Sequence, residues 1–291
     1  MAAFTRREWN RLALGSMAAL SLPLEYLAAD KPNSIVKGVT IGVQSYSFRD
    51  RSLDDALQAM VEIGLSSCEL YSGHIEPKGL KREELRDWRL TTPLSEFTQA
   101  GEKFKKAGIE LYAYNYSFRD DFTDEEIKRG FDMAKALGAK SITASANVSV
   151  AKRVDVYARR YKLKVGMHNH SRIKENEFAT PDDFAKAMEG NSEYICINLD
   201  IGHFTAANFD AVDYLQKHHE RIVTLHIKDR KRDQGDNLPF GEGDTPIKPA
   251  LELLMKNKWK IPANIEYEYK GEDTVAEVKK CFEYCKNALA A

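Results

Sequence analysis

The chain has 291 residues, 43% of them hydrophobic and 30% charged, with a formal net charge of −1. That balance excludes a strong field drawing the protein to nucleic acid or to an anionic membrane, and the uniform composition supplies one core rather than two domains. Four cysteines without a Cys-x-x-Cys pair exclude a cysteine zinc site; Cys68, Cys196, Cys281 and Cys285 read instead as buried small hydrophobes.

In chain order, Thr5-Arg6-Arg7-Glu8-Trp9 precedes a short apolar run, Leu12 to Leu24, and then Leu27-Ala28-Ala29. A charged start, a short apolar centre and small residues near a cleavage point describe an export signal, and the adjacent arginines indicate the twin-arginine route to the periplasm. The run is too short to span a membrane. Residues 1–29 are therefore expected to be an export segment, 30–38 a linker and 39–291 the folded domain.

From Val39 the chain alternates. Strand-like runs occur at Val39 to Phe48, Ser67 to Tyr71, Ile109 to Phe118, Lys140 to Ser145, Leu163 to His170, Tyr194 to His203, Ile222 to Asp229 and Ile261 to Tyr269. Helical periodicity is predicted for Ser52 to Ile63, Leu94 to Lys106, Asp124 to Leu137, Val150 to Tyr161, Pro181 to Met188, Phe209 to His218, Ile247 to Asn257 and Thr274 to Ala288. Ser52 with Asp55 resembles a capping box, Thr180 reads as an N-cap before Pro181, and Gly64, Gly108 and Gly138 mark stops. Eight β and eight α segments with short links predict an α/β fold of the (β/α)₈ TIM barrel type, for which about 250 residues suffice, rather than an open doubly wound sheet.

In such a barrel the C-terminal ends of the strands converge on one mouth. His168, Asp200, His226 and Glu266 close the last four strand-like runs. Two imidazoles and two carboxylates form a mixed N/O set suited to Zn²⁺, Mn²⁺ or Co²⁺ more than to an all-oxygen ion. His170 and Glu268, each two residues further along the same face, compete with His168 and Glu266, which are preferred. Lys228 is a candidate cationic electrophile or base. Glu69 and His74 are candidates for sugar hydroxyls or for turn caps, and Tyr46, Asn115 and Tyr116 for the wall of a carbohydrate pocket or for packing. The basic stretch Lys228 to Arg232 reads as a solvated loop at the mouth.

The runs MHNH, NLDIGHF, LHIKD and IEYEY, in that order, resemble the xylose isomerase-like TIM barrel superfamily, and within it the exported sugar phosphate isomerase/epimerase group, over about Val39 to Ala288. The resemblance implies one divalent metal at the mouth, manganese before Zn²⁺, Co²⁺ or Mg²⁺, with Asp200, His226 and Glu266 at ligand positions and His203 at a substrate-contacting position. His168 departs from the glutamate that sugar epimerases of this group place there as ligand and base. The implied partner is a small carbohydrate; nothing in the sequence specifies an oligomeric state. The expected chemistry is proton abstraction beside a metal-polarised ketone, giving a metal-stabilised enediolate that ends in isomerisation or epimerisation. Export argues against a phosphorylated substrate and raises a second outcome, β-elimination from a 3-keto-glycoside by a lyase. A non-catalytic carbohydrate-binding barrel is the remaining class.

Overall fold

The structure, a computed structural model, describes residues 31–290. The export segment expected at 1–29 lies outside the described residues. Eight parallel strands form the barrel: β1 (Val39–Gln44), β2 (Ser67–Tyr71), β3 (Glu110–Asn115), β4 (Ser141–Ala144), β5 (Lys164–His168), β6 (Ile195–Asp200), β7 (Ile222–Ile227) and β8 (Ala263–Ile265). Neighbours pair in sequence order from β2 to β8, and β1 pairs with both β8 and β2, which closes the barrel. This is the predicted (β/α)₈ architecture.

Ten α-helices surround the strands among the described residues: α1 (Leu53–Ile63), α2 (Arg82–Thr91), α3 (Leu94–Ala107), α4 (Asp124–Leu137), α5 (Ala151–Tyr161), α6 (Pro181–Met188), α7 (Ile201–Ala206), α8 (Ala211–His218), α9 (Ile247–Asn257) and α10 (Thr274–Ala290). Local chemistry sets several of their ends. Ser52 Oγ accepts the Asp55 N–H at the start of α1, and Gly64, at φ 92°, stops it in the left-handed conformation that glycine tolerates. Thr123 with Glu126 and Thr180 with Asp183 form reciprocal capping boxes for α4 and α6. None of the described helices is long and apolar enough to cross a membrane. All four cysteines are buried free thiols.

The structure departs from the sequence expectations at several ends. Ile35–Val36, inside the expected linker, pairs antiparallel with β1, and Ser34 exchanges hydrogen bonds with Ser66. The first strand stops at Gln44 and turns into a 3-10 helix over Ser45–Phe48. The last strand is three residues long, so Glu266 to Tyr269 follow it as irregular chain. His203 lies in α7, not in a strand, because the Asp200 carboxylate accepts the His203 N–H and starts a helix there. Helix α2 was not expected: its sequence is mostly polar, and ion pairs rather than an apolar stripe hold it, from Arg82 and Arg86 to Glu126 and from Arg89 to Glu76.

The upper barrel interior is polar. Glu69, Thr143, Asn198, Thr224 and Asn264 are all fully buried. Asn264 crosses the barrel to Thr224 Oγ1 at 2.8 Å and Glu69 Oε2 at 3.3 Å. It fits because Gly42 stands opposite, where a Cβ would lie 2.2 Å from Asn264 Oδ1.

Candidate metal centre at the barrel mouth

His168 and Asp200 end β5 and β6, His226 is the penultimate residue of β7, and Glu266 follows β8 directly. One donor atom from each lies within 4.8 Å of the others, and all four residues are buried. Parallel register brings them together as a staggered series: Asp200 pairs with His226, His168 pairs with Asn198 two residues before Asp200, and Glu266 stands two residues beyond Asn264, the partner of His226. Strand periodicity places side chains two apart on one face, so each of three ligand candidates stands directly above a buried amide or hydroxyl: Asp200 over Asn198, His226 over Thr224, Glu266 over Asn264.

The donor set fits a divalent ion. His226 points one ring nitrogen, Nδ1, at Glu266 Oε2 (3.1 Å) and the other, Nε2, at Glu69 Oε2 (2.9 Å). Glu69 is the carboxylate that a ligating histidine characteristically uses behind it to fix ring orientation and raise basicity. It is held there by Gln44 Nε2 at 3.1 Å and Thr143 Oγ1 at 2.6 Å. Asp200 Oδ2 is buried without a hydrogen bond, although the Lys228 ammonium lies 3.1 Å away as an ion partner. A buried carboxylate oxygen with spare coordination capacity is what a cation would complete.

Lys228 is the resident cation. Its ammonium lies 2.7 Å from Glu266 Oε2, 2.6 Å from Glu268 Oε2 and 3.2 Å from His203 Nε2, and it is almost wholly buried. Burial alone would discharge it, but Asp200, Glu266 and Glu268 outweigh that and hold its pKa above the ordinary lysine value. Burial pushes the Asp200 carboxyl up to about 6 against the pull of Lys228. For Glu266 the same burial is overridden by Lys228 and His226, which hold the carboxyl well below its usual range. Burial likewise opposes charge on His226, yet Glu69 and Glu266 raise its pKa. His168 and His203 are pushed down, first by burial and then by neighbouring positive charge.

Above the cluster opens a cavity of about 470 Å³ lined by Gln44, Tyr46, Tyr71, Asn115, Ser117, Arg119, Ser145, His168, His170, His203, His226, Glu266 and Glu268. Of the residues selected from sequence, Tyr46, Asn115, His170 and His203 thus face it. His170 stands 5.0 Å from His168, ring centre to ring centre, and is exposed to the cavity; the surrounding protein and Lys228 hold it below the ordinary imidazole value. Glu69 lies beneath the cluster instead. His74 is elsewhere: its ring nitrogens lie 3.0 Å from Ser45 Oγ and 3.2 Å from the Phe48 carbonyl, so it braces the two loops after β1 and β2. Tyr116 is packed against Phe118 and Phe122, outside the cavity.

The basic stretch is not a solvated loop at its start, because Lys228, Asp229 and Arg230 are buried. Asp229 accepts N–H groups from Gly241, Gly243 and Thr245 and so folds the loop after β7. Arg230 donates to His203 Nδ1 at 2.8 Å and to Ser171 Oγ at 2.8 Å. His203 thus lies between two cationic donors, Arg230 at Nδ1 and the Lys228 ammonium at Nε2 (3.2 Å). The sequence reading missed Arg230 and Asn198. Asn198 was marked by its i−2 spacing from Asp200; Arg230 had no signal beyond its place in a basic run.

A family model for the xylose isomerase-like TIM barrel matches residues 57–287. L-ribulose-5-phosphate 3-epimerase UlaE of Escherichia coli is 33% identical over 101 residues, which covers 34% of this chain and 36% of that protein, so the match spans about a third of the relative's length. Among solved structures, the 3-keto-D-glucoside 4-epimerase YcjR from E. coli superposes with a TM-score of 0.65 at 15% identity, over 86% of this chain and 99% of that one. The IolI protein, solved with a bound zinc atom, gives a TM-score of 0.65 at 16% identity over 86% and 98%. The barrel closure, the His/Asp/Glu cluster at the ends of its last four strands and the family match over most of the chain lead to one assignment: this protein belongs to the xylose isomerase-like TIM barrel family.

Proposed function

We propose that the protein is a divalent-metal-dependent enzyme that moves a proton beside the carbonyl of a keto sugar, as an isomerase or epimerase, after export from the cytoplasm. The observation that carries the reading is the buried set His168, Asp200, His226 and Glu266 opening onto a cavity walled by hydroxyl and amide groups. Those four residues would hold the ion, and manganese is the first candidate. When bound, the ion polarises a carbonyl and acidifies the adjacent C–H.

The chain's own residues supply the rest. Asn115, Ser117, Ser145 and Tyr46 line the wall on which sugar hydroxyls would be oriented. His170 faces the cavity with no ring hydrogen bond among the described residues, and it is kept neutral at pH 7, so it is the group free to accept a proton. His203, a neutral imidazole held between Arg230 at Nδ1 and Lys228 at Nε2, positions the Lys228 ammonium at the cavity. Lys228 stays charged and serves as an electrostatic partner for developing negative charge, not as a base.

One feature favours a second outcome from the same first step. The β5 end carries an imidazole, His168, and no carboxylate, which leaves the cavity without a matched pair of carboxylate bases across the substrate. A single base suffices for elimination, so cleavage of a 3-keto-glycoside by loss of its C1 substituent is the alternative. Proton NMR in D₂O, with the metal-loaded chain and a panel of ketoses and 3-keto-glucosides, separates them. Deuterium in an isomerised or epimerised sugar supports the first outcome, and aglycone release with an unsaturated sugar the second. A panel that neither exchanges nor changes, while still binding, would make the protein a carbohydrate-binding barrel.

A further inference from the structure

Arg119 lines the mouth cavity four residues beyond the end of β3, and its guanidinium makes no ion pair or hydrogen bond among the described residues. Its neighbours in the same region behave differently. Arg82 and Arg86 pair with Glu126, Arg89 with Glu76, and Arg153 with Asp124. The two carboxylates next to Arg119 in sequence are also engaged elsewhere: Asp121 pairs with Arg82 at 3.0 Å, and Asp120 accepts from Ser149 Oγ and from Asn176 Nδ2.

Those contacts pin the backbone on both sides of Arg119. The Asp120 N–H donates to Asn147 Oδ1, the Phe122 N–H donates to the Arg119 carbonyl, and Phe118 is fully buried against Tyr116 and Phe131. The segment is thus tied to the loops after β4 and β5 while the Arg119 guanidinium is left on the cavity. Glu268, the acidic group on the opposite wall, is already taken by the Lys228 ammonium. An exposed guanidinium on an anchored backbone, with no internal acid, is open to the planar, bidentate geometry of a carboxylate or phosphate.

We propose that Arg119 anchors an anionic group on the substrate, so that the sugar is an acidic one: a keto-uronate, in keeping with the expected export, or, against that expectation, a sugar phosphate. The inference rests on the reading of the cavity as a site for a metal-bound keto sugar. Three 2-ketohexoses that differ only at C6 test it: D-fructose, D-fructuronate and D-fructose 6-phosphate. Each is titrated into the manganese-loaded full chain, with affinity taken from calorimetry and proximity to the ion from manganese-enhanced proton relaxation.

One or both acids should bind about 10- to 100-fold more tightly than fructose, the range expected of a charge-assisted contact. In R119Q, checked for unchanged manganese content, that preference should fall to within about twofold while fructose affinity stays the same. Which acid loses affinity identifies the group as carboxylate or phosphate. Equal affinity of all three sugars, with relaxation retained, overturns the anchor alone, as does an acid preference that survives in R119Q. Absence of metal-dependent relaxation for every sugar overturns the keto-sugar reading and the anchor with it.

Discussion

The two halves of the barrel mouth are built from different chemistry. The ends of β5 to β8 carry His168, Asp200, His226, Lys228, Glu266 and Glu268, all ionisable and most of them buried. The ends of β1 to β4 present amide and hydroxyl groups to the same cavity, from Gln44, Tyr46, Tyr71, Asn115, Ser117 and Ser145, with Arg119 as the one charged side chain that this side adds to the lining. The one carboxylate that a strand of this half supplies to the interior, Glu69, is drawn under His226 and so serves the other half. Charge is concentrated where a cation and a mobile proton need it, and neutral hydrogen bonding where a polyhydroxylated ligand needs to be turned and held. Each half can therefore be damaged separately.

The largest effect should come from the charged half. His226→Ala removes a ligand candidate and leaves Glu69 and Glu266 without their shared partner, so metal affinity should fall by more than about 100-fold, exceeding what outer partners contribute. Metal analysis after dialysis, beside a circular dichroism spectrum, checks that the loss is local. Glu69→Gln is the sharper probe. If Glu69 orients His226 from behind, metal affinity should fall by about 10- to 100-fold with the barrel intact. An unchanged affinity would mean that Glu69 is only a barrel-filling polar group and that the division between the halves is not crossed.

How much of this was legible before the structure depended on whether a residue's role was set by strand periodicity or by contacts across the barrel. The closed barrel and the meeting of His168, Asp200, His226 and Glu266 at one mouth follow from eight strand signals and the convergence of strand ends. The pattern of polar residues two positions before Asp200, His226 and Glu266 was also present in the sequence. The role of Glu69 was not, because it depends on a 2.9 Å contact with a residue 157 positions later. His74 looked like a site residue because a histidine after a strand end faces either the mouth or the adjoining loop, and only the position of Ser45 decides which. Helix α2 escaped because ion pairs to α4 hold it, and periodicity does not register them.

Damage to the neutral half should be smaller and of another kind. Asn115, whose amide donates to Thr143 Oγ1 at 3.2 Å, retains capacity to bond a sugar hydroxyl. Asn115→Ala should raise KM by about 5- to 10-fold, the scale of one lost hydrogen bond, with metal content unchanged. Steady-state kinetics on whichever ketose turns over would show it. A fall in metal content instead would break the proposed division of labour.

The smallest effect lies in the scaffold behind the neutral half, where Glu126 ties α2 to α4 through Arg82 at 2.8 Å and Arg86 at 3.1 Å. Burial raises the Glu126 carboxyl, but Arg82, the Thr123 N–H and Arg86 outweigh it, so its pKa is lowered in the folded chain. A group whose folded pKa is depressed contributes stability above its unfolded value, near 4.3, and loses it as pH falls through the folded pKa. Glu126→Gln should therefore cost about 1–2 kcal/mol at pH 7, the worth of charged hydrogen bonds whose partners are partly solvated, and the difference from wild type should shrink steadily below about pH 4. Urea unfolding at both pH values measures it. Because this carboxylate lies outside the cavity, metal affinity should stay unchanged at pH 7, and a linked fall in metal binding would show that the two halves are mechanically coupled.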